Sequence, residues 1–382
     1  MNSLNTSKLT AFFPNHSKVH LKTFILFLTC ALRCKTANIY KCKDHVKNIS
    51  KNKQCSTNSH YVKFIRFFKI KNIAEFIIGI QRVLFVISKP DLTYLIVDRT
   101  NWKFGAKNIN LLTIGCLDEG VFSPLLWKQL DKRGNSNLED RSFLIDSLLS
   151  MFSVFKKAYE GSILLADREF IGKEWFEYLT TKKLSFVIRL REKLYFDLQT
   201  YTGKKKVSLK YFSKYIEKYG IYSVPLTLGE CTYTVVMIKN IKHDPNEPYL
   251  YFISDLKDAK AIAAHYFKRW KIECAFKHLK SNGFNIEDIA LKGDEKIELM
   301  MAILCLLYRL AINEGIILNK KVPIKFKIYK NGTTYLSVSI FRTGLTIIQH
   351  KLNNMNLLIK YLYKELEAFL LKDCEDFNYL NV

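Results

Sequence analysis

Acids are the scarce charge in this sequence. Its 382 residues hold 35 Asp and Glu against 60 Lys and Arg, a formal surplus of +25. A surplus of that size points to a polyanionic partner, either nucleic acid or an anionic membrane surface. The shortage is sharpest at the start: residues 1–90 carry sixteen Lys or Arg but only two acids, Asp44 and Glu75. Such asymmetry predicts a separate polyanion-binding module there. A genome rich in A and T would inflate Lys, Asn and Ile throughout, but it would not remove acids. Paired cysteine knuckles are missing too. The nine Cys are irregularly spaced, and Cys30, Cys34, Cys42 and Cys55 lack the C-x2-C pattern of a structural zinc site. Free thiols in a reducing cytosol are expected instead.

No apolar run has the length and purity of a membrane span. Phe24–Ala31 is eight residues long, bracketed by Lys22 and Arg33, and no small-residue cleavage site follows. It reads as a core helix rather than a signal peptide. The stretch 74–88 carries Glu75 and Arg82, and 299–313 carries Arg309, so neither is expected to cross a membrane. Internal repeats and long low-complexity segments are also lacking. What is present is a 48% apolar composition, enough to build the cores of two or three domains.

Residues 18–88 carry the apolar spacing of helices, with a polar, basic loop at 41–60. Tyr61, Lys63, Phe64, Arg66, Phe67 and Phe68 interleave aromatics with bases. That mixture suits a DNA grip, with Arg66 a candidate contact, and equally suits the start of an ordinary amphipathic helix. At Pro90 the texture changes. Leu92–Val97 is a continuous apolar run ending in Asp98, the pattern of a strand buried on both faces. Ile109–Cys116 and Val121–Leu126 predict two more strands. Ser136 with Glu139 predicts a capping box opening a helix, and Ser162–Ala166 is a further buried strand ending in Asp167. Short β-type runs then fill 185–253, one long helix is expected from about Asp255 to Lys280, and another covers Glu295–Ile317. The order describes an α/β core interrupted by an insertion.

Asp98 and Asp167 each end a buried strand. Singly, an acid there is commonly a turn or helix cap. Two carboxylates at neighbouring strand ends are costly unless a cation neutralises them. Hard divalent ions take carboxylate oxygens and leave positions open for phosphate. The segment 261–280 adds Tyr266, Arg269, Glu273 and Lys280 at i, i+3, i+7 and i+14. On one continuous helix these share about 60° of arc. Glu273 could then join the aspartates on metal while Arg269 and Lys280 meet phosphate oxygens. The same spacing also serves a solvated face of ion pairs.

YFKRWKIECAFKHLK at Tyr266–Lys280 fits Y-x2-R-x3-E-x6-K, and the sequence here resembles the insertion-sequence transposases of family four. YLIVDRTNWKFG around Asp98 and LLADREFIGKEW around Asp167 resemble the same family, as do IRL at Ile188–Leu190, GNSN at Gly134–Asn137 and SIFRTG at Ser339–Gly344. The resemblance covers about residues 20–350. It implies an RNase H-like catalytic core in two parts, 91–184 and 254–318, interrupted by a β-rich insertion at 185–253. A helical, basic DNA-binding domain at 1–90 precedes the core, and a C-terminal helical region at 319–382 follows it. It implies Asp98, Asp167 and Glu273 as catalytic metal ligands for two Mg2+ ions, with Mn2+ a possible substitute. Tyr266, Arg269, Lys280, Arg189 and Arg66 become DNA contacts. The implied activity is binding of terminal inverted repeats, phosphodiester cleavage and transfer of 3′-hydroxyl ends into target DNA. The implied setting is a homodimer pairing two ends in the bacterial cytoplasm at the nucleoid. Some relatives release the element through a hairpin steadied by an aromatic, but the insertion here has no Trp, so no stacking residue is assigned. Two other readings stand beside it: a catalytically inactive DNA-binding repressor derived from a transposase, and a metal-dependent endonuclease that cuts without joining.

Overall fold

The computed structural model describes residues 7–49, 55–197, 206–240, 244–328, 332 and 334–372. Parts of the expected basic loop (50–54), of the expected insertion (198–205 and 241–243) and of the C-terminal tail (373–382) lie outside the described residues. The chain opens with α1 (Lys18–Cys34), capped where the Ser17 side chain accepts from the His20 N–H. Two single turns follow, α2 (Ile39–Cys42) and α3 (Val46–Ile49), then α4 (Thr57–Phe67) and α5 (Ile73–Ser88). In α4 the interleaved pattern separates cleanly. Phe64, Phe67 and Phe68 are buried, whereas Lys63, Arg66 and Lys69 are exposed.

Next come β1 (Tyr94–Phe104), β2 (Lys107–Asp118) and β3 (Val121–Gln129), then α6 (Leu138–Val154), β4 (Ile163–Ala166), α7 (Lys173–Thr181) and β5 (Ser185–Arg189). A two-strand ribbon, β6 (Tyr195–Asp197) and β7 (Lys206–Ser208), leads to α8 (Ser213–Tyr219) and to β8 (Ile221–Leu228), β9 (Cys231–Lys239) and β10 (Tyr249–Ser254). Helices α9 (Ala259–Tyr266), α10 (Lys271–Leu279) and α11 (Asp294–Lys321) follow. A small hairpin, β11 (Phe326–Ile328) with β12 (Thr334–Leu336), precedes α12 (Ile340–Lys351) and α13 (Met355–Lys372).

One eight-stranded sheet has the order β3-β2-β1-β4-β5-β10-β9-β8. Strands β1, β4 and β5 run parallel to one another, and all other pairs in the sheet are antiparallel. The expected inserted block at 185–253 therefore contributes to this same sheet. Its first strand, β5, belongs to the parallel centre, and β10, β9 and β8 extend the edge beyond it.

Both faces are covered, which is why the central strands read as unbroken apolar runs. Ile96, Leu165 and Val187 point into one core, while Leu95, Val97, Leu164, Ala166, Phe186 and Ile188 point into the other. The first core is built largely by α11. By length and composition α11 could cross a membrane, but 89% of its apolar window is buried inside the protein. Helices α1, α4, α5, α12 and α13 contribute to that same core. The N-terminal helices thus share their apolar interior with the C-terminal ones instead of standing as a separate module. Burying each Leu, Ile or Phe there contributes about 1.5–3 kcal/mol, so the first 90 residues and the last 60 or so are energetically one body.

Two local expectations are corrected. The cap of α6 is Asn137, not Ser136: the Asn137 side chain accepts from the Asp140 N–H at 2.9 Å and Asp140 accepts from the Asn137 N–H at 3.2 Å. Ser136 instead accepts from Arg141 Nε at 2.9 Å. The long helix expected to Lys280 is two helices. Between Tyr266 and Lys271 the backbone tightens to three-residue hydrogen bonds, with Lys268, Arg269 and Lys271 donating to His265, Tyr266 and Lys268. At about 120° per residue a tight turn still aligns residues three apart. Tyr266 and Arg269 consequently remain neighbours across the break. Lys280 falls just past the end of α10, with non-helical backbone.

Candidate active site

Strand register explains why the acids meet. The parallel β1–β4 ladder ends at Val97 opposite Ala166, and the β4–β5 ladder ends at Ala166 opposite Ile188. One residue further on, Asp98, Asp167 and Arg189 emerge side by side at the strand ends, where ligands gather in α/β sheets. Strand β10 pairs Phe252 with Arg189, and the Tyr266 ring packs on Phe252 with centroids 4.5 Å apart. This packing seats the turn after α9 directly over the row.

A single hydrogen-bonded chain then links all three acids. The Tyr266 hydroxyl donates to Asp167 Oδ1 at 3.2 Å and accepts from Arg269 Nε at 3.1 Å. Arg269 Nη1 donates to Asp98 Oδ2 at 2.7 Å, and Nη2 donates to Glu273. The other Asp98 oxygen accepts from the Arg99 N–H at 2.7 Å. Arg189 reaches Asp167 at 3.9 Å and also pairs with Glu247.

Burial sets the electrostatics. Removal from water pushes the Asp98 carboxyl up to about 6, against the pull of Arg269 and the Arg99 N–H and with repulsion from Asp167 and Glu169 adding to the rise. Arg269 is only 7% exposed. Burial works against its charge, but Tyr266, Asp98, Asp167 and Glu273 around it more than compensate and raise its pKa above the usual value. Burial likewise raises the Tyr266 hydroxyl, which stays protonated and able to donate.

Not every expected residue joins this cluster. Lys280 Nζ donates to the Asn101 carbonyl at 3.0 Å, pairs with Glu287 at 2.9 Å and sits 5.7 Å from the centre of the Trp102 ring. Arg66 lies exposed on α4, outside the network. Conversely, the sequence reading passed over Glu169 and Arg99. Arg99 makes a forked pair with Glu169, at 2.9 Å through Nη2 and 3.2 Å through Nε, and also donates to Asn110 and Asn135. Each of these two follows a catalytic candidate by one or two positions, in D-R-T and D-R-E, and that shared context was the available signal. Asn135 and Ser136 belong to the GNSN stretch, whose task here is to hold Arg99 and Arg141. Arg141 in turn donates to the Glu169 carbonyl at 2.8 Å, fixing the loop after Asp167.

The donor set suits a hard divalent cation: three carboxylates, no thiolate and no imidazole. Two of them already share one cationic partner. Among the described residues no three His, Cys, Asp or Glu stand together as a metal site in this arrangement. Arg269 lies between Asp98 and Glu273 and neutralises both. The eight cysteines among the described residues are free thiols, and none belongs to a metal cluster.

Carboxylates from two parallel strand ends and one packed helix, with arginines between them, thus form one cluster at the strand ends. Residues 91–310, more than half of the chain, match the Transposase DDE domain, and the chain belongs to that family of transposases. The fold is similar to that of a piggyBac transposase seen by cryo-EM in a synaptic complex with hairpin DNA. The TM-score is 0.50 at 12% identity, covering 99% of this chain and 79% of that one. With the strand order above, this likeness supports an RNase H-like core. No curated protein sequence matches the chain.

Proposed function

We propose that the chain is the transposase of an insertion sequence of the family-four type. In this reading it binds terminal inverted repeats, cuts phosphodiester bonds with two Mg2+ ions (Mn2+ able to substitute) and transfers the 3′-hydroxyl ends into target DNA. The observation that carries the proposal is the linkage of Asp98, Asp167 and Glu273 through Arg269 and Tyr266. Side chains that merely formed solvated ion pairs would not converge from two strands and a helix on one buried guanidinium.

Asp98, Asp167 and Glu273 would hold the ions. Bound there, divalent cations supply Lewis-acid stabilisation of the attacking and leaving oxygens. The remaining work falls to the chain. With its carboxylates neutralised otherwise, Arg269 can turn its planar fork to the oxygens beside the scissile phosphate. Tyr266 keeps Asp167 oriented, and Arg189 adds positive charge on the β5 side. Lys280, lying beside the β1–β2 hairpin, steadies the backbone further along. The exposed Lys63 and Arg66 of α4, with Lys69 in the turn after it, contribute end binding from residues 1–90. The DNA in the piggyBac complex supports a DNA partner, and a homodimer pairing two ends at the bacterial nucleoid completes the reading.

The test is incubation of the full chain with the parent element's end sequences and Mg2+, followed by mapping of cut and joined products. Cuts at the element ends with joining to a second duplex are expected. Cutting without joining would make the chain an endonuclease, and binding without any cut would make it a repressor.

A further inference from the structure

Strands β1 and β2 run on past the acid row. Strand β4 leaves β1 at Val97, but the β1–β2 ladder continues to Phe104 opposite Lys107. Side chains alternate along this projection. Asp98, Thr100 and Trp102 face one way, whereas Arg99, Asn101 and Lys103 face the other, with Asn108 and Asn110 directly across from Lys103 and Asn101. On that second face, together with Lys132, Arg133 and Gly134, they line a cleft of about 340 Å3.

No acid lines this cleft, although four cations do. Two of the four are spoken for: Arg99 is paired with Glu169, and Lys132 with Asp140 at 2.5 Å. Lys103 and Arg133, both exposed, have no acid partner among the described residues. Arg133 is nonetheless held in place. Its Nε and Nη2 stand 2.6 and 3.1 Å from one terminal atom of the Asn108 amide, which accepts from both when that atom is assigned as the oxygen, the orientation that satisfies both partners. A neutral acceptor orients the guanidinium without cancelling its charge and leaves its outer N–H groups unused. Such a fork matches the oxygens of a phosphodiester, and Lys103 adds a point charge beside it.

We propose that this cleft is a second DNA-phosphate site, in which Arg133 and Lys103 hold the backbone of a duplex that passes the acid row. The inference rests on the transposase reading and extends it. Asp98 and Lys103 are five strand residues apart, about 17 Å. That distance is roughly five base-pair steps of duplex. The cleft lies across the projecting hairpin from the catalytic face, so the duplex wraps the hairpin edge instead of lying flat on α10. The phosphate held here belongs either to the element's own end or to the target duplex.

The experiment uses the full chain carrying Lys103→Ala and Arg133→Ala, with unchanged melting as the check on folding. Binding is measured by fluorescence anisotropy in EDTA across a salt titration. The probes are a short duplex ending in the terminal repeat and an unrelated duplex of equal length. Loss of two phosphate contacts should lower the log–log salt slope by about 1.8 on whichever duplex the cleft holds. A drop on the end duplex alone assigns the site to the element end. A drop on the unrelated duplex, with failed joining from pre-cleaved ends, assigns it to the target. Unchanged slopes and affinities within about twofold on both duplexes would overturn the proposal. Because binding is read without metal, a chain that binds through the cleft but never cuts would sink the transposase reading and leave this one standing. A double variant that cuts and binds normally would do the reverse.

Discussion

Arg269 donates to Asp98 at 2.7 Å while its other terminal nitrogen holds Glu273, so two carboxylates share one buried guanidinium. The shared guanidinium makes an acid-rich cluster tolerable, since unpaired buried charges are costly. It also predicts competition. Arg269→Gln should bind Mn2+ more tightly in the absence of DNA, by roughly tenfold, 1.4 kcal/mol for each factor of ten. The same variant should cut DNA poorly, and Arg269→Lys should slow single-turnover cleavage by about ten- to a hundredfold because a point charge replaces the fork. Mn2+ titration followed by electron paramagnetic resonance, beside cleavage on pre-assembled complexes, checks both halves. Equal Mn2+ affinity in wild type and Arg269→Gln would mean that the guanidinium is no competitor.

Asp98 gives a pH signature to the metal-free protein. Its carboxyl is pushed up to about 6 from an ordinary 3.8, chiefly by burial. For an acid whose folded value is raised, the stabilisation is full below the unfolded value and is lost as pH rises through the folded one. The window therefore runs from about pH 4 to pH 6, and the loss is about 3 kcal/mol at most. Asn at this position keeps an acceptor for Arg269 without the buried charge. Asp98→Asn should then be the more stable protein at neutral pH in EDTA, with the advantage fading toward pH 4. Urea unfolding at several pH values measures it, and parallel profiles for the two proteins would refute the burial argument.

Gly344, the last residue of the SIFRTG stretch, has a packing role. A Cβ there would come within 1.7 Å of the Ala311 carbonyl and 2.6 Å of the Gly315 nitrogen. One at Gly315 would come within 2.1 Å of the Ile340 carbonyl. Helices α11 and α12 thus cross backbone on backbone, with glycine on both sides. Gly344→Ala must push the helices apart at the centre of the shared core and should cost about 2–3 kcal/mol or more, despite the better helix propensity of Ala. Thermal melting reads this, and an unchanged or raised melting temperature would show that the crossing yields without cost.

Legibility followed the scale of each cause. The central strands were readable because burial on both faces leaves unbroken apolar runs, and the strand-end acids because a charge ends such a run abruptly. Tyr266, Arg269 and Glu273 were readable as neighbours because spacings of three and four survive both α-helical and tighter turns. Lys280 was placed on the same face only by assuming an unbroken helix, and the tight turn at 267–270 together with the end of α10 removed that premise. The pairing of Arg99 with Glu169 depends on two strands lying in register, which no local pattern encodes. The same holds for the N-terminal helices: their charge is a local property, but the partner for their apolar face lies more than 200 residues away in α11 to α13.

That shared core also decides how DNA binding by the N-terminal region should be tested. Removing residues 1–90 would expose the apolar faces of α11 and α13, so lost binding by such a fragment could reflect lost folding. The exposed cations on α4 and in the turn after it avoid this difficulty. Lys63, Arg66 and Lys69 recur every three residues and are exposed, while Phe64, Phe67 and Phe68 anchor the helix from its buried side. Reversing the three charges to Glu leaves the anchors in place and should leave melting nearly unchanged, since surface substitutions usually stay within about 0.5 kcal/mol. If this face follows the DNA backbone, the salt slope for end DNA should fall by about 2.7, three contacts at about 0.9 each. Binding to unrelated duplex should fall in parallel, because phosphate contacts carry no sequence information. A variant that binds end DNA with wild-type affinity and slope would show that the surplus of bases in the first 90 residues is a solvated surface, and that the grip on the element lies elsewhere in the chain.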